Sequence, residues 1–457
     1  MTKSPLALAV VLGVIAQQAS AAGFIEDSKA TLGLRNFYYD NNVKHYTPTA
    51  TAPTGPSAHE WAQGFLFNYT SGFTQGTVGF GLDVVGLSAI KLDSGGRNTK
   101  ADRSRTPGSL FPLESDGSAT DSYGKAGATA KVRVSKTEGR IGTLQPKLPV
   151  VTFNDGRVLP QLFNGGQVTS NEIDGLTLIA GQLENTKTRS STDNVGLRVL
   201  GATRPTGSSA TTPIADTNKF YYAGGDYKIT KDLTAQYYYG NLEDFYKQHF
   251  LGLVHNWAIG PGVLKSDLRY FDSSSDGKNG NAAGRADGYG ATGFYGVASN
   301  GRAITAGEID NRTWSGQFTY TLGGHSLSAG YQQVSGDSAF PFLNQGDGST
   351  AYLITDRQIG KFQNAGERTW LAEYGYDFTS VGVPGLKTVA TYLKGSDIDR
   401  VGSDGKEWER DFRIDYVLQD GALKGLGLTW RNASQRGNFS ADNDENRLIV
   451  SYTLPLL

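Results

Sequence analysis

From residue 30 to its end the chain runs as about eighteen short segments, most near the roughly 9–11 residues that a tilted membrane strand needs. The connections between them alternate in length. Tight turns fall at 71–75, 136–138, 229–232, 259–262, 322–325 and 419–425. Long polar connections fall between them at 41–57, 93–121, 145–165, 187–217, 272–310 and 336–366. Short turns on one rim and long loops on the other are what a closed barrel in an outer membrane shows. The spacing predicts an all-β fold, a transmembrane antiparallel barrel, and a barrel of that size usually encloses water. Passage of solutes is the function class that follows.

Side-chain parity agrees segment by segment. Val78, Phe80, Leu82 and Val84 oppose Gly79, Gly81 and Asp83. In the sixteenth segment Phe412, Ile414, Tyr416 and Leu418 oppose Asp411, Arg413 and Asp415. In the last, Leu448, Val450, Tyr452 and Leu454 oppose Arg447, Ile449, Ser451 and Thr453. Alternation alone also describes a half-buried soluble sheet. Its persistence to the C-terminus favours closure, because a spanning barrel must pair its last strand with its first. The ending Pro455-Leu456-Leu457 departs from the aromatic terminus of many such barrels.

The N-terminus reads as a leader. Lys3, the apolar run 6–16 and Ala19-Ser20-Ala21 suit an export signal over 1–21, with a single barrel domain over 22–457. The 60 Gly, 23 Tyr and 21 Phe among 457 residues, with 19% charged, suit alternating walls and aromatic girdles. Cysteine is absent, which removes disulfides and thiol chemistry. A net charge of −1 offers no overall basic surface for nucleic acid.

The third long connection carries Leu148, Val150, Val151, Phe153, Val158, Leu159, Leu162 and Phe163, which a solvated loop has little reason to hold. It is expected to fold into the barrel and pack on the inner wall, leaving a constriction. Packing over the outer rim is the alternative. Pro146, Pro149 and Pro160 would stiffen it, and the turn Asn154-Asp155-Gly156 would present Arg157 at its tip.

Basic residues follow the same parity. Arg35, Lys131, Arg133, Arg431 and Arg447 fall on lumen-facing positions, and Arg140 lies on the strand leading into the third loop. Arg35, Arg431 and Arg447 sit on the first and last two segments, which adjoin once the barrel closes. Three guanidinium groups on one wall would focus potential and concentrate anions. Arginine suits carboxylates because its planar fork binds two oxygens and keeps its proton. Arg413, between Asp411 and Asp415, reads as self-neutralised.

These residues also carry a resemblance. GFIEDSKATLGLRN at 23–36, QGF at 63–65, SGFTQGTVGFG at 71–81, KVRVSKT at 131–137, Gln145-Pro146, GVPGL at 382–386 and ENRLIV at 445–450 resemble the OprD-type substrate-specific porins of pseudomonads. These are also called outer-membrane carboxylate channels, and the likeness is greatest to their OprE-like members. It spans the chain from Gly23 to Leu457. It implies an eighteen-stranded barrel with one pore per chain, an inward third loop forming an eyelet, and an arginine ladder guiding carboxylates. Arg35, Arg133, Arg157 and Arg431 match ladder or eyelet positions, with Arg140 and Arg447 beside them. The seventh outer loop, 336–366, resembles the family's second inward loop, with Asp337 on the acidic side of the pore. The Leu-Leu ending is compatible with the family.

Other functions are weighed on the same residues. An outer-membrane hydrolase would need a base, and the histidines at 45, 59, 249, 255 and 325 lie in no nucleophile motif. No histidine pair has metal-ligand spacing, and no cofactor is implied. A plugged transporter would need a plug domain, for which the few residues between 22 and the first strand leave no room. The expected partners are small carboxylates or amino acids as solutes, and outer-membrane lipid and lipopolysaccharide. A carboxylate channel leads, a general diffusion porin stands second, and monomer and homotrimer both remain open.

Overall fold

The computed structural model describes residues 23–44, 57–94, 107–292, 307–343, 350–400 and 402–457. The leader expected over 1–21 lies outside them, as does His45. Eighteen strands form one sheet. They are β1 (Lys29–Lys44), β2 (Ala58–Thr70), β3 (Val78–Ser94), β4 (Ser122–Val134), β5 (Thr137–Leu144) and β6 (Leu162–Ser170). Then come β7 (Leu176–Lys187), β8 (Phe220–Lys228), β9 (Leu233–Leu242), β10 (Tyr246–Ile259), β11 (Gly262–Ser275) and β12 (Asp310–Leu322). The last are β13 (His325–Ser335), β14 (Arg368–Asp377), β15 (Leu386–Ile398), β16 (Gly405–Val417), β17 (Gly427–Gly437) and β18 (Asp442–Pro455). Each pairs antiparallel with its neighbours, and β1 pairs with both β2 and β18. The Leu456 amide donates to the Ala30 carbonyl at 2.8 Å and seals the seam. Closure is required because an open edge would leave N–H and C=O groups unpaired in hydrocarbon.

Parity divides the two solvents as expected. Phe80, Phe412, Ile414, Leu448 and Val450 are exposed on the outer wall, and Arg447 is buried on the inner one. Trp314, Tyr331 and Trp370 meet across β12–β14 with ring centroids 5.3 and 4.7 Å apart, part of an aromatic band near the loop-bearing rim. A charge in mid-wall must face lipid, so Leu448→Arg is expected to destabilise the barrel by about 2–4 kcal/mol. Urea unfolding in lipid vesicles measures it; a loss below about 1 kcal/mol would place Leu448 at the interface instead.

The alternation of short and long connections is less strict than expected. Outer connections 243–245, 399–404 and 438–441 are as short as the turns on the other rim. The third outer loop ends at 161, since Leu162 and Phe163 already belong to β6.

Apolar packing fills one side of the interior. Lumenal Phe220, Tyr222, Tyr238, Leu242, Phe250 and Phe271 of β8–β11 are covered by Val150, Val199, Phe340 and Leu353 from the third, fourth and seventh loops. A second cluster sets Val158 and Leu159 of the third loop against Phe37, Ala62 and Leu87 of β1–β3, with Leu110 and Phe111 of the second loop. The polar wall of β1 and β16–β18 faces the remaining space.

Candidate functional site

The third loop packs against lumenal residues of β1–β3 and of β8–β11. A short hairpin of Lys147–Leu148 and Val151–Thr152 packs toward β8–β9, and the chain then turns back toward β1. The Asn154 side chain accepts from the Gly156 amide at 2.8 Å, closing the turn. Arg35 grips its tip. The guanidinium meets both oxygens of Asp155, at 2.7 and 3.2 Å, and donates to the Arg157 carbonyl at 2.9 Å. The expected ladder arginine on β1 is therefore a clamp on the loop, already holding a carboxylate.

Two buried glutamates hold the other loops. Glu60 on β2 accepts from the amides of Gly108, Ser109 and Leu110 at 3.3, 2.6 and 2.9 Å. Glu409 on β16 accepts from Gln358, Ile359 and Gly360 at 3.2, 3.0 and 2.5 Å. Three successive N–H groups converging on one carboxylate form an anion nest, here with the anion supplied by the wall. Glu367, just outside β14, is pushed well above the usual carboxylate range by burial and by the neighbouring Glu407. Thr152 and Thr350 form a β-bridge that joins the third loop to the seventh.

Between these two loops and the wall of β1, β17 and β18 lies a cavity of about 500 Å³. Arg157, Arg189, Arg357, Lys361, Arg431 and Arg447 line it, against Asp155, Asp356 and Glu445. Each lining acid is already bound. Asp155 holds Arg35, Asp356 holds Lys361 at 3.0 Å, and Glu445 holds Arg447 at 2.6 Å and the Tyr39 hydroxyl at 2.8 Å. Arg447 also donates to the Gly156 carbonyl at 3.4 Å and the Gln358 carbonyl at 3.1 Å, so one side chain touches both loops. Arg157 and Arg431 hydrogen-bond neutral oxygens and form no close ion pair among the described residues. Arg157 donates to the Gly156 carbonyl and the Tyr39 hydroxyl and stacks 4.3 Å over that ring. Arg431 donates to the Arg357 carbonyl. The Nε atoms of Arg157, Arg357 and Arg431 are buried without an acceptor.

Register explains the clustering. Tyr39 stands opposite Arg447, Arg447 opposite Arg431, and Arg431 opposite Arg413. Strands of such a barrel tilt by about 35–45°, so a row across them descends with each step. Arg413 lies lowest and is held by Asp415 through two bonds of 2.6 and 2.9 Å. Its neutralisation is as the sequence suggests, yet it continues the row.

The remaining expected residues lie elsewhere. Lys131 is buried against Asp83 at 2.6 Å and the Ser71 carbonyl, Arg140 pairs with Glu138, and Arg133 lies exposed 4.2 Å over the Phe73 ring. These form a second group by the short-turn rim, in which Asp83 and Glu138 balance Lys131 and Arg140. Asp337 is half-buried just past β13 and does not line the cavity; Asp356 is the seventh loop's acid there. Arg189, Arg357 and Lys361 escaped the sequence because loops carry no parity. Glu60 and Glu409 are marked in the sequence only as acids on lumen-facing positions. His325 contacts the Tyr374 hydroxyl at 2.8 Å in its exposed turn.

A closed eighteen-stranded wall with an apolar exterior and a charged interior defines an outer-membrane porin. The family model for outer membrane porins of the OprD family matches residues 22–456. The chain belongs to that family. It is 37% identical to the porin-like protein GalP of Pseudomonas putida, over 96% of this chain and 95% of that one. Identity to Porin D of Pseudomonas aeruginosa is 35%, over 100% of this chain and 99% of that one. Among solved structures, P. aeruginosa OccK8 (OprE) superposes with a TM-score of 0.85 at 60% identity, covering 95% of this chain and all of that one. P. aeruginosa OpdK superposes at 0.79 and 36% identity, again over 95% of this chain and all of that one.

Proposed function

We propose that this porin takes up small carboxylate-bearing nutrients, drawn through a constriction between the third and seventh loops by arginines at successive depths. The observation that carries this reading is the convergence of Arg157, Arg431 and Arg447 on one cavity whose acids are already bound. Cations between low-dielectric walls raise the local concentration of anions, and successive weak sites let a solute move by handover. The likeness to OpdK, which was crystallised with the carboxylate vanillate, is in keeping with it. In this reading residues 1–21 are an export leader and the barrel needs no partner chain to form its pore, whether monomeric or trimeric.

Liposome swelling tests the proposal. Carboxylates are expected to enter faster than uncharged sugars of equal size. Arg431→Gln should slow carboxylate entry about tenfold, equivalent to about 1.4 kcal/mol, and leave sugar entry nearly unchanged. Equal slowing of both solutes would favour a general diffusion porin.

A further inference from the structure

The two unmatched guanidinium groups point beyond a single carboxylate. Arg157 comes from the third loop and Arg431 from β17, and both line the same cavity of about 500 Å³. Neither forms a close ion pair among the described residues; the carboxylate that acts on both, Glu445, already holds Arg447, and the other lining charges are largely balanced within the protein. A partly desolvated cation whose counter-charge is shared with other cations is costly. A solute with one carboxylate relieves one of the two and leaves the other. A solute with two relieves both.

Aromatic recognition has little to work with here. Among the described residues Tyr39 is the one aromatic in the lining, and it is 3% exposed, covered by Arg157. The uncharged polar side chains in the lining are those of Asn154, Thr350, Gln358 and Asn443, which suit oxygen-rich solutes. Escape is provided for as well. The row below Arg431 ends on Arg413, whose charge Asp415 already meets, so the attraction weakens toward the short-turn rim and a bound dianion is not held there. We infer, on the carboxylate-channel reading above, that the cavity prefers doubly charged anions, short dicarboxylates, over monocarboxylates and over aromatic acids.

Single-channel recording of the purified protein with succinate or butyrate, which share a carbon count, provides the test. Succinate is expected to interrupt the current with an apparent affinity about tenfold above that of butyrate at neutral pH. Acidifying until succinate carries one charge should bring it to the level of butyrate. Arg157→Gln and Arg431→Gln should each remove most of the succinate advantage while changing butyrate binding less. Butyrate binding as tightly as succinate, with both above a neutral sugar, would overturn this inference and leave the carboxylate reading standing. Neither acid exceeding the sugar would overturn both. The wild-type comparison decides between these outcomes whether or not either variant folds.

Discussion

Arg447→Gln is expected to abolish the anion preference that the carboxylate-channel reading assigns to the pore and to loosen both inward loops. Arg447 is 5% exposed and satisfies Glu445, the Gly156 carbonyl and the Gln358 carbonyl together. Removing it leaves Glu445 buried without its cation, and breaking such a pair costs about 3–5 kcal/mol. The cavity would lose a positive charge and gain an unmatched negative one. Reversal potentials in a salt gradient should swing from anion toward cation preference. The paired change Arg447→Gln with Glu445→Gln removes the stranded charge, so it should restore loop order without restoring the full anion preference. An unaltered reversal potential in the single variant would show that the cavity lies off the ion path.

Glu409→Leu should produce the second large effect, an increase in conductance. The backbone amides of residues 358–360 lose their common acceptor, at about 1–3 kcal/mol for each group left unsatisfied. The seventh loop should leave the wall, widening the pore and speeding the entry of uncharged sugars. Glu409→Gln keeps the shape and one acceptor oxygen, so its conductance should fall between the two. Leucine and parent channels of equal conductance would mean that the apolar contacts of Phe340, Leu353 and Phe362 hold the loop without the nest.

How much of this was legible in the sequence follows from what each residue has to satisfy. A lipid-facing position must be apolar whatever the loops do, so Phe412, Ile414, Leu448 and Val450 announced the wall and its strand parity. Connection length was a weaker guide. The outer turn at 243–245 is tight because β9 and β10 run on into each other, which polarity and glycine content do not reveal. The third loop betrayed itself through Val158 and Leu159, whose burial no solvated loop would provide. Lumenal charge was readable as facing inward and no further. Arg35 and Arg431 occupy equivalent parity, yet one holds Asp155 and the other hydrogen-bonds a neutral carbonyl, a difference set by where a distant loop docks. Arg357 and Arg189 reach the cavity from segments with no periodicity at all. Asp337 had the right loop and the wrong end of it.

The oblique row that links Tyr39, Arg447, Arg431 and Arg413 ties a side chain's height in the pore to its place around the circumference. A change of residue type cannot shift a rung; only a sliding of one strand past its neighbours can. The smallest such slip that keeps a side chain facing inward is two residues, about 6.6–6.8 Å along the strand. Heights on the wall thus come in coarse steps. Fine adjustment of what passes falls to the tips of the third and seventh loops, which can be recut without altering the cylinder.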